Sequence, residues 1–128
     1  MENKYYVSYE AARLLKEKGY NEVTNAAWNG FFGEIRISPQ IGGYRNLDYP
    51  DDIKIYSAPT KSEAIDWLES KGIMIDIHWI RFNENRRWNY SIFNCSTCNT
   101  IDTKYIHSTR LEAEEAAIIR ALKEITKL

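Results

Sequence analysis

Cys95 and Cys98, three residues apart, and the two histidines His78 and His107 are the residues whose types first suggest a metal. A CxxC at a hairpin tip is how zinc knuckles present two thiolates from one turn, and a closed zinc site needs four ligands. The hairpin expected below sets His78 across from Ser91, four residues from Cys95, which is about 13 Å at ~3.3 Å per residue. His107 falls near Tyr90, farther still. No metal site is therefore expected within one chain; two chains contributing a CxxC each is the arrangement left open. A redox pair is not expected either, because such motifs sit at helix N-termini that lower the thiol pKa, whereas this one joins two strands.

Asp76, His78 and Ser91 carry the side chains of a nucleophilic triad and share one face of the same hairpin. A flat strand face offers neither oxyanion donors nor a pocket, and alternating polar residues are what any solvated strand displays. No P-loop, GxGxxG, HExxH or GxSxG occurs, and Gly42-Gly43 is too little to cradle a phosphate. The chain reads as non-enzymatic, with no catalytic residue and no cofactor.

Two groups suggest binding instead. Arg81, Arg86 and Arg87 gather at the hairpin turn and Lys104 lies on the next strand, so cations could flank an aromatic sheet surface that stacks bases. Against this, Trp79, Trp88 and Tyr90 fall on the inner face and are expected in the core. Residues 38 to 52 hold two Pro, two Gly and three Asp, so they are expected to form one long irregular loop. Within it Tyr44, Arg45, Asp48, Tyr49, Asp51 and Asp52 offer interface chemistry, since Tyr buries area at low entropy cost and the acids can meet a basic partner. The three Asp lack the spacing of a calcium loop.

The elements that must position these residues are legible in outline. Ser8 caps a helix through about residue 19, with Val7, Ala11, Leu14, Leu15 and Lys18 on one face and Gly19 as its stop. Asn29-Gly30 signals a hairpin turn leading into Phe31, Phe32, Ile35 and Ile37. Ile53 to Tyr56 reads as a short strand, and Thr60 with Glu63 forms a capping box for a helix ending near Gly72 that turns Ala64, Ile65 and Leu68 inward.

Ile73, Ile75, Ile77 and Trp79 then alternate with Met74, Asp76, His78 and Ile80, the period of a strand. With Glu84-Asn85 as the turn, Trp79 lies opposite Tyr90 and Ile77 opposite Ile92 on the core face. The other face carries Met74, Asp76, His78, Phe82, Arg87, Asn89, Ser91, Phe93 and Cys95. A third strand over about Thr100 to Ile106 follows. Thr109 with Glu112 then opens a last helix with Leu111, Ile118, Leu122 and Ile125 inward.

These elements predict an α+β fold, an antiparallel β-sheet of a hairpin plus a three-strand meander with about three helices packed on one face. The order is α-β-β(-β)-α-β-β-β-α in a single domain, residues 1–128. The 128 residues include 44% hydrophobic and 13% aromatic side chains, which excludes disorder. With 17 Lys+Arg against 18 Asp+Glu the net charge is −1, so the global excess of cations typical of nucleic-acid binders is missing, though a local patch is allowed. No membrane-spanning stretch or signal peptide is visible, and two cysteines make no disulfide framework, so a cytoplasmic protein is expected.

The opening Val7-Ser8-Tyr9-Glu10-Ala11-Ala12-Arg13-Leu14-Leu15-Lys16-Glu17-Lys18-Gly19-Tyr20, the stretch Ser57-Ala58-Pro59-Thr60 leading to Ala64, Trp67 and Leu68, and the closing Glu112-Ala113-Glu114-Glu115-Ala116 carry a resemblance. The chain resembles a family of short phage- and prophage-associated proteins of gut anaerobic bacteria. The resemblance covers nearly the whole chain and implies a phage-related accessory protein, with no site to carry over, because its motifs are helix starts and amphipathic faces. The leading expectation is a small protein-interaction module that meets an unidentified protein partner through the 38–52 loop and the outer sheet face. The alternative is a weak nucleic-acid binder using Arg81, Arg86, Arg87 and Lys104. No membrane partner is expected, and the oligomeric state is open.

Overall fold

The computed structural model describes residues 3–37, 43–102 and 106–124. Its three helices begin at the expected caps. The Ser8 hydroxyl accepts from the Ala11 N–H and opens α1 (Tyr9–Glu17), and Gly19 takes the left-handed φ of +95° that stops it. Helix α2 (Lys61–Ser70) starts at a complete capping box between Thr60 and Glu63. For α3 (Arg110–Glu124), Thr109 Oγ1 accepts from the Glu112 N–H, while the Glu112 carboxylate reaches one residue further back, to the N–H of Ser108.

The α+β class and the element order are those expected, and the strands divide into two antiparallel sheets of three. Strands β1 (Ala26–Asn29), β2 (Glu34–Ile37) and β3 (Ile55–Ser57) lie in the order β2-β1-β3. Strands β4 (Ile73–Phe82), β5 (Asn85–Asn94) and β6 (Asn99–Asp102) form the meander in the order β4-β5-β6. Helix α1 packs on β3 and on α3, and α2 and α3 pack together and cover part of the meander's inner face.

Three local expectations need correction. Asn29 pairs with Glu34, so Gly30 to Gly33 form the β1–β2 loop and leave Phe31 and Phe32 outside the strand. The reason lies in Gly30. Its N–H donates to the Lys54 carbonyl at 2.8 Å, and a Cβ there would come 3.0 Å from the Tyr9 hydroxyl, so Gly30 serves a close approach of chains and Gly33 takes the left-handed turn position.

The β4–β5 turn is Asn83-Glu84, both at positive φ, one residue earlier than Glu84-Asn85. Asn tolerates the left-handed region well and so holds the first turn position. Pairing thereby moves by two residues: Trp79 lies opposite Trp88, Ile77 opposite Tyr90, and Asp76 rather than His78 opposite Ser91. A shift of two preserves the faces, so Ile73, Ile75, Ile77, Tyr90 and Ile92 do point inward.

Trp79 is on that inner face and yet 59% exposed, so it is not a core residue. Burial falls along β4 from Ile73, at 2%, because the helices cover the base of the hairpin and not its tip. Strand β6 is described over Asn99–Asp102, and beyond it His107 exchanges backbone hydrogen bonds with Trp88 of β5 at 2.8 Å. Lys104, Tyr105 and Ile125 lie outside the described residues.

Leu15, Leu68, Ile118 and Leu122 are fully buried at the centre. Ala113, Ala117 and Ala121 form a buried stripe on α3 at i, i+4, i+8 spacing. Tyr9 stands edge-on to both Trp28 and Tyr56, with centroids 6.2 and 5.5 Å away, and ties α1 to the first sheet.

One polar knot sits within this packing. The buried Lys61 ammonium donates to the carbonyls of Lys4 and Tyr6 and lies 3.8 Å from Glu115, whose carboxylate accepts the Ser8 N–H at 3.0 Å and the Ser8 hydroxyl at 2.7 Å. Burial pulls the Lys61 pKa below its ordinary value, while Glu115 and Glu114 oppose that shift. Removing one partner of a buried pair strands the other charge, so Glu115→Ala is expected to lower the unfolding free energy by about 3 kcal/mol in urea titrations. An unchanged midpoint would show that the knot contributes nothing.

Tyr20 is buried edge-on against Trp67, with centroids 5.3 Å apart. Burial, and then Glu63 and Glu22, push its phenol well above the ordinary value of 10.0. In the unfolded chain this phenol ionises near pH 10 while in the folded chain it stays protonated, so its contribution is intact below pH 10 and lost as pH rises above it. Stability is expected to fall by up to about 1.4 kcal/mol per pH unit above 10 on this account, and Tyr20→Phe to remove that part of the slope. Urea midpoints at pH 9 and pH 11 check it; equal losses in both proteins would refute the assignment.

Candidate functional site

The far end of the β4–β5 hairpin extends past the helices because ten-residue strands outrun the cover that α2 and α3 provide. On its inner face Trp79 pairs with Trp88, and one step outward Arg81 pairs with Arg86. The Arg86 guanidinium lies over the Trp79 ring at 5.6 Å, and Arg110 from α3 lies over Trp88 at 5.5 Å. Two indoles, one exposed and one half-buried, and three guanidiniums thus form one surface.

Its electrostatics are unfavourable as they stand. Like charges directly opposite on an antiparallel pair repel, and neither Arg81 nor Arg86 has an acidic partner among the described residues. Arg110 occupies the first turn of α3, where the helix dipole disfavours a cation; Glu114, 3.7 Å away, offsets part of this. Arg87 is on the opposite face, across from Ile80, so the hairpin separates it from Arg81 and Arg86. Arg110 is the member that sequence reasoning missed, and a basic residue immediately after the cap Thr109 was the signal available.

The outer face holds Asp76 and His78, with Oδ2 and Nδ1 3.1 Å apart. The Ser91 hydroxyl instead donates to Asp102 at 2.7 Å, and His78 faces Asn89, so the three residues make no nucleophile-to-base hydrogen bond. Cys95 and Cys98 are free and exposed, and His107 stacks on Tyr90 at 6.2 Å. Among the described residues no three of His, Cys, Asp and Glu come together as a metal site would need.

The described part of the 38–52 loop is tied down. Tyr44 is buried and exchanges backbone bonds with Thr24; the Asn46 side chain donates to the Tyr20 carbonyl and accepts from the Ser57 N–H; Lys16 donates to the Tyr49 carbonyl at 2.8 Å and pairs with Asp51 at 3.8 Å. Short 3-10 turns at Asn46–Asp48 and Asp51–Ile53 replace the expected irregular run. Tyr44 and Tyr49 turn inward to line a cleft of about 660 Å³ with Trp28, Phe32 and Arg36. Arg45, Leu47, Asp48, Asp51 and Asp52 remain exposed.

No helix among the described residues is long and apolar enough to cross a membrane. Comparison with protein-family models, curated proteins and solved structures gives no match.

Proposed function

We propose that the chain is a small nucleic-acid-binding module that grips a single strand with the tip of its β4–β5 hairpin. The observation behind this reading is the paired Arg81 and Arg86 beside the cross-strand pair Trp79 and Trp88, a surface whose unneutralised guanidiniums repel one another until an anion arrives. Phosphates would remove that repulsion, and the exposed indole of Trp79 supplies a face on which a base can stack. Arg86 lies over the Trp79 ring, and the residue is 59% exposed, which leaves surface for a base. The overall charge of −1 makes affinity local to this patch and weak at high salt.

A second reading, a protein-contact surface, is favoured by one observation: Phe32 and Leu47 are 75% and 80% exposed on two loops of the first sheet's side. It would use Arg45, Leu47 and Asp48 in place of the hairpin.

Fluorescence anisotropy with a single-stranded oligonucleotide distinguishes the two. If three arginines each neutralise a phosphate, log affinity should fall with log salt at a slope of roughly −2. Trp79→Ala is expected to weaken binding by about 10- to 100-fold through lost stacking, and the double variant Arg81→Ala/Arg86→Ala to flatten the slope. Absence of binding at low salt, or a slope untouched by the double variant, would sink this reading.

A further inference from the structure

Strand β4 is an edge of the meander sheet, and it is ten residues long with neither a proline nor a bulge. The direction of its free backbone groups follows from two observations. Trp88 exchanges both hydrogen bonds with His107, on the side away from β4, and Cys95 donates to the Gly72 carbonyl. Alternate residues of a strand bond to alternate sides, so Met74, Asp76, His78 and Ile80 bond to β5. Ile73, Ile75, Ile77, Trp79 and Arg81 then aim their N–H and C=O groups outward, and among the described residues no backbone bond meets them.

We propose that this edge pairs with the β4 edge of a second copy of the chain, antiparallel about a two-fold axis at Ile77, to give one continuous six-stranded sheet. The occupant follows from self-complementarity. Pairing about Ile77 sets Ile75 opposite Trp79 of the partner subunit, joining the half-buried isoleucine to the exposed indole. On the outer face it sets Met74 opposite Ile80 of the partner subunit and Asp76 opposite His78 of the partner subunit, each twice by symmetry. Those outer pairs are of the non-hydrogen-bonded kind, whose side chains approach most closely. His78 already meets Asp76 within one chain at 3.1 Å, so the dimer would complete a ring of two carboxylates and two imidazoles. Centring the axis one residue earlier, on Asp76, would oppose two carboxylates; centring it on His78 would oppose two imidazoles and put Asp76 against Ile80. About six backbone hydrogen bonds would form between Ile75, Ile77 and Trp79 of the two copies. This inference does not rest on nucleic-acid binding, although it shares Trp79 with that reading, and its test contains no nucleic acid.

Sedimentation equilibrium of the full chain across a concentration series is expected to give a species of twice 15.0 kDa. Ile77→Pro deletes an N–H that only the partner uses and leaves every bond to β5 in place, so it should yield monomer with an unchanged far-ultraviolet spectrum. Should that variant fail to fold, exposed substitutions decide instead. Asp76→Lys alone should weaken the dimer at least tenfold by setting a cation against the partner's imidazole, and Asp76→Lys/His78→Asp should restore it. A monomer at all concentrations, an open-ended assembly, a dimer that survives a folded Ile77→Pro, or a double substitution that fails to restore association would each overturn the proposal.

Discussion

The carboxylate of Glu115 receives the N–H and hydroxyl of Ser8 and faces the ammonium of Lys61, so one acid on α3 holds the first turns of α1 and α2 at the same point. Hydrophobic burial is not directional; it would accept α1 in several rotations against α3. The knot selects one. With Ser8 fixed, Ala11, Ala12, Leu14 and Leu15 face inward, and the Ala113, Ala117 and Ala121 stripe lets the packed surfaces approach closely. The lysine also ties down the segment before α1 through the Tyr6 and Lys4 carbonyls. A buried ion set of this kind contributes orientation more than net stability, because desolvation offsets much of its attraction.

What could be read from the residues was whatever depends on neighbours in sequence. The caps at Ser8, Thr60 and Thr109 are local hydrogen-bond chemistry, and the alternation of Ile73, Ile75 and Ile77 fixes which face of β4 turns inward whatever the register. Features that require a distant element were not legible. Gly30 resembled a turn residue until Tyr9 and Lys54 were seen against it. Trp79 resembled a core residue because sequence says nothing of how far α2 and α3 reach along the hairpin. Arg110 joins Arg86 at the tip only through the packing of α3 on β5. Asn46, which bridges Tyr20 and Ser57 from inside a loop rich in turn residues, gave no sign of its role.

The hairpin is therefore two structures along its length. Its base is a sheet with helices on one face, held by Ile73, Ile92 and Tyr90; its tip is a ribbon whose side chains meet solvent on both faces. The first part sets the direction of the second, and cation–π contacts at Trp79 and Trp88 hold the tip's arginines in place.

The bond between Ser8 and Glu115 spans 107 residues of sequence. During synthesis α1 emerges from the ribosome long before its anchor exists, and Lys61 waits with no carboxylate to meet it. The β1–β2 hairpin and the meander can pair locally, but the shared core cannot close until α3 is made. The core therefore waits on α3, and until that helix is made the inner face of the β4–β5 hairpin lacks part of its cover.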